Sequence, residues 1–397
     1  MTDEILAILT FQAGYNTSVV LAGAIALGIG GGVIGVFSFL RKRALISDAI
    51  SHATLPGIAL AFLIGVALGG TGQNLALLMT GAALSGALGI LAVQWIRDHT
   101  RLPEDTAIGT VLSVFFGLGI VLLSHIQTLE AAGQAGLNSF LLGSTAALSA
   151  SEAQLIAGAS LATIVIALAL MKEFGAVAFD EGFAAAQGWR VAQFDLAMLG
   201  LLLAIVAIGL KTVGLILIIA LVIIPPAAAR FWTERLGRMV ALSGAFGGLA
   251  GWLGGGVSAL LPDMPAGAVI VLAAASIFTI SLLFAPSRGV IAWGIRRFRL
   301  RLHIASGRGL LTMADGYLPP DALSRRLARW RGYLGADGRM TAAGLKAAQE
   351  TRRQHRLWHA YRLSHPDAAL AFNPLSGVRI EDALPADLIA ALERETA

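Results

Sequence analysis

Apolar positions in this chain come as long unbroken runs, without the alternation of a half-exposed strand or the one-sided stripe of a soluble helix. Such runs recur near residues 18–40, 44–68, 75–96, 107–125, 152–172, 194–210, 212–228, 238–261 and 266–286, separated by short polar or basic breaks. A bilayer core needs about 20 apolar residues per helix. The pattern therefore predicts an all-α polytopic membrane protein with eight or nine transmembrane helices. The segment GQAGLNSFLLGSTAALS at 134–150 is too short and too interrupted by Gly and Ser to cross, so it is expected as a half-helix or re-entrant piece. Small residues punctuate the runs, as in GAIALGIGGGVIGVF (23–37) and GAFGGLAGWLGGG (244–256), and let helix backbones approach closely. After about residue 310 the apolar runs stop, and turn signals appear at YLPPD (317–321), GADGR (335–339) and SHPD (364–367). A small helical C-terminal domain is expected there.

Composition agrees with that division. The chain is 56% hydrophobic and 13% charged, whereas soluble domains are about one quarter charged. Of its 29 Lys and Arg, 18 lie after residue 286, against 10 of the 24 Asp and Glu. The predicted domains are a transmembrane part at 1–290, a basic juxtamembrane linker at 291–311 and a helical domain at 312–397. Basic residues also cluster in the short breaks: Arg41, Lys42 and Arg43; Arg97 and Arg101; Lys172 and Arg190; Arg230, Arg235 and Arg238. All four groups fall on one side if nine spans are counted, which makes that side, and the C-terminal domain, cytoplasmic. Arg296, Arg297, Arg299 and Arg301 add attraction to anionic membrane lipids. The first residues lack a basic leader and a small-residue cleavage site, so the first span is expected to direct insertion itself.

Cysteine is absent, which removes disulfides, thiolate metal sites and cysteine nucleophiles. Neither HExxH nor a serine or aspartate dyad stands in the spans, so an intramembrane enzyme is not indicated. Two features carry candidate chemistry. Asp48 and His52 lie four apart, on one face of a helix, and an aspartate near a helix centre costs roughly 2.5–3.5 kcal/mol on insertion scales, so such residues mark ion pathways or find partners. Imidazole plus carboxylate suits Mn, Fe or Zn; the alternatives are a buried Asp–His hydrogen bond, or an Asp48 near enough to Arg41 and Arg43 to stay in interfacial water. Two donors are few for a selective site, and a second copy across a two-fold axis would supply four. Pro56 and Gly57, one turn on, are expected to break or kink the helix and free carbonyls beside the pair. Asp195 and Glu152 sit at span ends, where headgroups or water would solvate them. The second feature is AAARFWTERLGRM (227–239), opened by Pro225 and Pro226. It reads as a short basic amphipathic helix, either docking a cytoplasmic partner or anchored at the interface by Trp232. No nucleotide-binding loop occurs, so an ATPase would be a separate subunit.

Together these segments resemble the permease family of manganese, zinc and iron ABC importers, over residues 17–286. The resemblance rests on SFLRKRALISDAISHATLPGIALAF (38–62), EDTAIGTVLSVFFGLGIVLLS (104–124), LNSFLLGS (137–144) and KTVGLILIIALVIIPPAAARF (211–231). It implies that Asp48 and His52 coordinate the passing ion, with no permanently bound cofactor. It also implies that Arg230, Phe231, Trp232, Glu234 and Arg235 belong to the segment coupling to a cytoplasmic ATP-binding subunit. Further implied partners are a periplasmic metal-binding protein and a second permease copy or paralogue, in the inner membrane. The C-terminal part is similar to metal-dependent repressors of the diphtheria toxin repressor type, through MTAAGLKAAQETRRQHRLWHAYR (340–362) and GVRIEDALPADLIAALE (377–393). Repressor-type ligands map to His355, His359, Glu381 and Asp382, although that family prefers Glu at the position of His359 and His at that of Asp382. The stretch before residue 340 is short for a DNA-reading helix, so no nucleic acid is expected. The tail leans the metal toward manganese, and a membrane-anchored metal sensor is the alternative reading.

Overall fold

A computed structural model describes residues 12, 14–70, 72, 74–128, 148–260, 264–335, 337–365 and 378–396. The predicted re-entrant piece falls almost wholly on residues 129–147, outside this set. The chain divides into two compact units at Val290–Ile291.

The first unit holds eleven described helices: α1 Tyr15–Leu40, α2 Ala44–Ala67, α3 Leu75–His99, α4 Glu104–Thr128, α5 Ala150–Ala169, α6 Met171–Phe179, α7 Glu181–Ala186, α8 Val191–Val213, α9 Leu215–Arg230, α10 Leu236–Leu260 and α11 Ala266–Phe284. Eight of them, α1–α5, α8, α10 and α11, are long and apolar enough to cross a membrane. The ninth expected span is α9, which at 16 residues reaches only about 24 Å at 1.5 Å per residue.

Lipid gives helices no hydrophobic reason to associate, so close approach must come from small residues, and the bundle shows where. α1 and α10 run antiparallel along a seam on which a Cβ at Gly28 would collide with the Gly247 carbonyl, and one at Gly32 with that of Ser243. The hydroxyl of Ser243 donates to the Gly32 carbonyl at 2.6 Å and fixes the register. α2 meets α3 in the same way, Gly57 against Gly81, with Ser85 donating to the Ala53 carbonyl at 2.6 Å. The short α9 is sheltered against α1: Gly31 and Gly35 face Val222, and Ile218 lies beside Gly209 of α8. α9 therefore runs parallel to α1, and Arg230 emerges at the same end of the bundle as Arg41.

Two helix-breaking expectations change. Pro56 lies inside α2, which runs through to Ala67; the proline removes one N–H, that which would bond the His52 carbonyl, and packing on α3 holds the rest. Pro225 and Pro226 lie inside α9, which continues to Arg230. Residues 231–235 are a turn, and α10 begins at Leu236. The separate amphipathic helix expected at 227–239 does not form, because its two halves are the ends of neighbouring spans.

The second unit comprises α12 Val290–Ala314, α13 Ala322–Trp330, α14 Ala342–Ser364, α15 Ile380–Ala383 and α16 Ala386–Thr396. Residues 291–311, predicted as a linker, lie within α12. Met313, Ala328, Leu334 and Ala348 form one small core, and Leu357, Trp358, Tyr361, Ile380, Ile389 and Leu392 another. A lone antiparallel bridge pairs Leu334 with Met340.

Candidate metal site

Asp48 and His52 stand on successive turns of α2, as their spacing requires. His52 Nε2 lies 3.3 Å from Asp48 Oδ1, within ion-pair distance. Two donors each about 2.1 Å from one ion stand about 3.0 Å apart at a right angle and about 3.4 Å apart at the tetrahedral angle, so the separation accommodates one shared ion as well as a direct ion pair between the two side chains. Side-chain exposure is 33% for Asp48 and 19% for His52. The pair is open on one side, where the half-open ring of Phe116 on α4 meets the imidazole edge to face at 4.8 Å. Among the described residues the buried His52 Nδ1 has no hydrogen-bond partner, and the Pro56 ring has removed the donor from the His52 carbonyl. Asp48 is the fifth residue of α2 and thus about 6 Å along it, nearer the arginine end than the helix centre expected for it. Among the described residues no three His, Asp or Glu side chains gather as a metal group, so one chain offers two side-chain donors here.

One turn below lies a charge cluster that the sequence did not announce. Asp195, expected in water, is 1% exposed. Both its oxygens accept from Arg43 Nη1, at 2.7 and 2.9 Å; Arg97 Nη1 donates at 3.3 Å, and Arg41 Nε stands 3.2 Å away. Arg43 also reaches Glu104 at 2.5 Å, and Arg41 donates to Glu181 and to the Val177 carbonyl, each at 3.0 Å. Three arginines thus gather around the buried Asp195, with the more exposed Glu104, Glu181 and Asp98 paired to them from outside. The backbone between them is specialised. The N–H groups of Lys42 and Arg43 bond the carbonyls of Phe39 and Ser38, both at 3.0 Å. That closes α1 with a Schellman motif, which puts Lys42 in the left-handed region at φ 60°, where glycine usually stands. Arg41, Lys42 and Arg43 were legible as a basic loop and Asp195 as a lone acid; their pairing across 152 residues was not. Glu152 is likewise no free acid: it completes a capping box with Ser149 at the start of α5.

At the arginine end, the turn after α9 presents Trp232, Glu234 and Arg235 to the outside, with Arg230 and Phe231 half-buried. Phe231 packs edge to face on Phe278 at 5.8 Å, its carbonyl accepts from Ser287, and Arg288 holds Glu234 at 2.5 Å, keeping that carboxyl below its usual range. The turn is thus braced yet exposed. The helices of this end are instead α6 and α7, tied in by the Arg41 contacts, with Phe179 and Phe183 exposed.

The four tail residues do not assemble. His355, His359 and Asp382 are exposed, while Glu381 is held by Arg353 at 2.7 Å and by Gln354 at 2.7 Å. Partial burial opposes its ionisation, but the hydrogen bonds from Arg353, its own backbone and Gln354 outweigh this and bring it down to about 2.

Eight helices long and apolar enough to cross a membrane, packed along glycine seams, define a multi-pass membrane protein. The chain belongs to the ABC 3 transport family, whose model matches residues 15–285. It is 42% identical over 303 residues to the manganese transport system membrane protein MntC of Bacillus subtilis, covering 76% of this chain and 68% of that one. It is 38% identical over 296 residues to the zinc transport system membrane protein TroC of Treponema pallidum, covering 75% and 98%. Among solved structures, PsaBC from Streptococcus pneumoniae in complex with Fab superposes with a TM-score of 0.62 at 31% identity, over 76% of this chain and all of that one.

Proposed function

We propose that the chain is the permease subunit of an ATP-driven importer of divalent metal ions, manganese first, with zinc and iron of suitable chemistry. The Asp48–His52 spacing carries this reading: 3.3 Å between donors suits one shared ion, and hard carboxylate with imidazole suits these metals. The names of the relatives, manganese and zinc systems alike, point to the same cargo. Completing a four-donor site takes a second permease copy or paralogue, brought against the flank where Asp48 and Phe116 are open. A separate cytoplasmic ATP-binding subunit would dock at the arginine end, on the braced turn 230–235 and on α6–α7, and a periplasmic binding protein would deliver the ion at the opposite end. On this reading the protein sits in the inner membrane with its second unit on the cytoplasmic side.

Uptake of radiolabelled manganese by cells producing the full transporter tests the reading. Asp48→Asn and His52→Ala each remove a donor without adding charge, so each is expected to abolish uptake at normal membrane abundance. Wild-type uptake by Asp48→Asn would overturn the site.

A further inference from the structure

The arginine knot joins the two helices that make the metal site. Arg43 immediately precedes α2, five residues before Asp48, and its guanidinium is shared between Asp195 on α8 and Glu104, the first residue of α4. α4 carries Phe116, whose ring meets His52. The start of the ligand helix and the start of the helix lining it thus meet at one guanidinium, Arg43, which the buried Asp195 holds from α8, and Arg97 ties in the end of α3. Lys42, in the left-handed position of the Schellman motif that closes α1, separates Arg41 and Arg43, whose side chains both approach Asp195.

We propose that Asp195 is a positioning residue for the transported metal: through Arg43 and Glu104 it sets the rotation and height of α2 relative to α4, and so the aim of Asp48 and His52 into the path. The inference rests on the permease reading above and adds residues that touch no ion. Groups that hydrogen-bond a metal's ligands directly typically change its affinity by about 10- to 100-fold when altered; Asp195 acts one step further away, through Arg43, so an effect at the low end of that range is expected. Removing one partner of a buried ion pair also leaves the other uncompensated, so Asp195→Asn leaves Arg43 with Glu104 alone.

The test is manganese uptake by the complete transporter as a function of manganese concentration, with membrane abundance measured alongside. Asp195→Asn is expected to raise the half-saturating concentration roughly tenfold. Glu104→Gln, at a partly exposed position whose loss threatens folding less, is expected to raise it by a smaller factor in the same direction. A purely structural knot would instead lower the number of working transporters, reducing maximal rate and abundance at an unchanged half-saturating concentration, and that result in both variants overturns the proposal. Should Asp195→Asn fail to accumulate, Glu104→Gln decides alone. The Asp48→Asn control separates the two levels. If it transports normally, the metal-site reading and this inference fall together; if it is dead while Asp195→Asn and Glu104→Gln keep the wild-type half-saturation, only the inference falls.

Discussion

Asp48 and His52 could be singled out because each is a polar residue where the apolar pattern forbids one, and their four-residue interval fixes their geometry without knowledge of the fold. Asp195 violates the same pattern at the edge of a span, where water is the ordinary explanation, and only packing shows that three arginines replace that water. Whether a charged residue is solvated or paired depends on partners far away in sequence, which no local spacing encodes. The tail shows the converse. Glu381 was placed by resemblance among metal ligands, and the structure gives its oxygens to Arg353 and Gln354. This has a pH consequence of definite sign. The folded Glu381 titrates at about 2, against an ordinary 4.5, so the folded state binds its proton more weakly than the unfolded chain. Its contribution to stability is whole above pH 4.5 and is lost as pH falls from there toward 2. Hydrogen exchange over residues 350–364 is expected to speed up in that window in the wild type and to be less pH-dependent in Glu381→Gln; equal pH dependence in both would remove the assignment.

The long helices were legible because a bilayer imposes one length and one composition on each element, so apolar runs of sufficient length translate directly into spans. Breaks at proline were not. Pro56, Pro225 and Pro226 sit inside continuous helices because glycine-to-backbone contacts on α3 and α1 hold the neighbouring turns, a tertiary effect that overrides a local rule. The same override dissolved the expected docking helix into a turn between α9 and α10. The turn still carries a prediction. Arg235 is exposed, and no ion pair of its side chain is seen among the described residues, so Arg235→Glu is expected to leave membrane abundance intact. If an ATP-binding subunit docks there, co-purification of that subunit and metal-dependent ATP hydrolysis are expected to fall together. If both stay at wild-type values, docking moves to α6–α7, where Phe183→Ala then becomes the informative variant.

Across the whole molecule, the family match ends at residue 285 and the first compact unit ends at Val290, so two unrelated measures stop within a few residues of each other. TroC is covered over 98% of its length, and the PsaBC chain over all of its length, by about three quarters of this chain. Proteins of this family therefore exist with hardly any counterpart to the rest. The second unit has two small cores of its own and arginines in excess of acids. The cut that tests this belongs at the boundary between the units. Truncation at residue 312 would divide α12 and remove Met313 from a core, whereas a chain ending at Gly289 leaves the bundle whole and keeps the Arg288–Glu234 pair that braces the turn after α9. Such a chain is expected to transport manganese with the half-saturating concentration of the full protein. A regulatory tail would show itself differently, as a change in how uptake declines when cells are preloaded with manganese. Loss of transport by the shortened chain at normal abundance would make the second unit part of the transport machinery and contradict the division. Identical preloading curves with and without it would leave assembly or membrane attachment as its role, readable as reduced recovery of the complex.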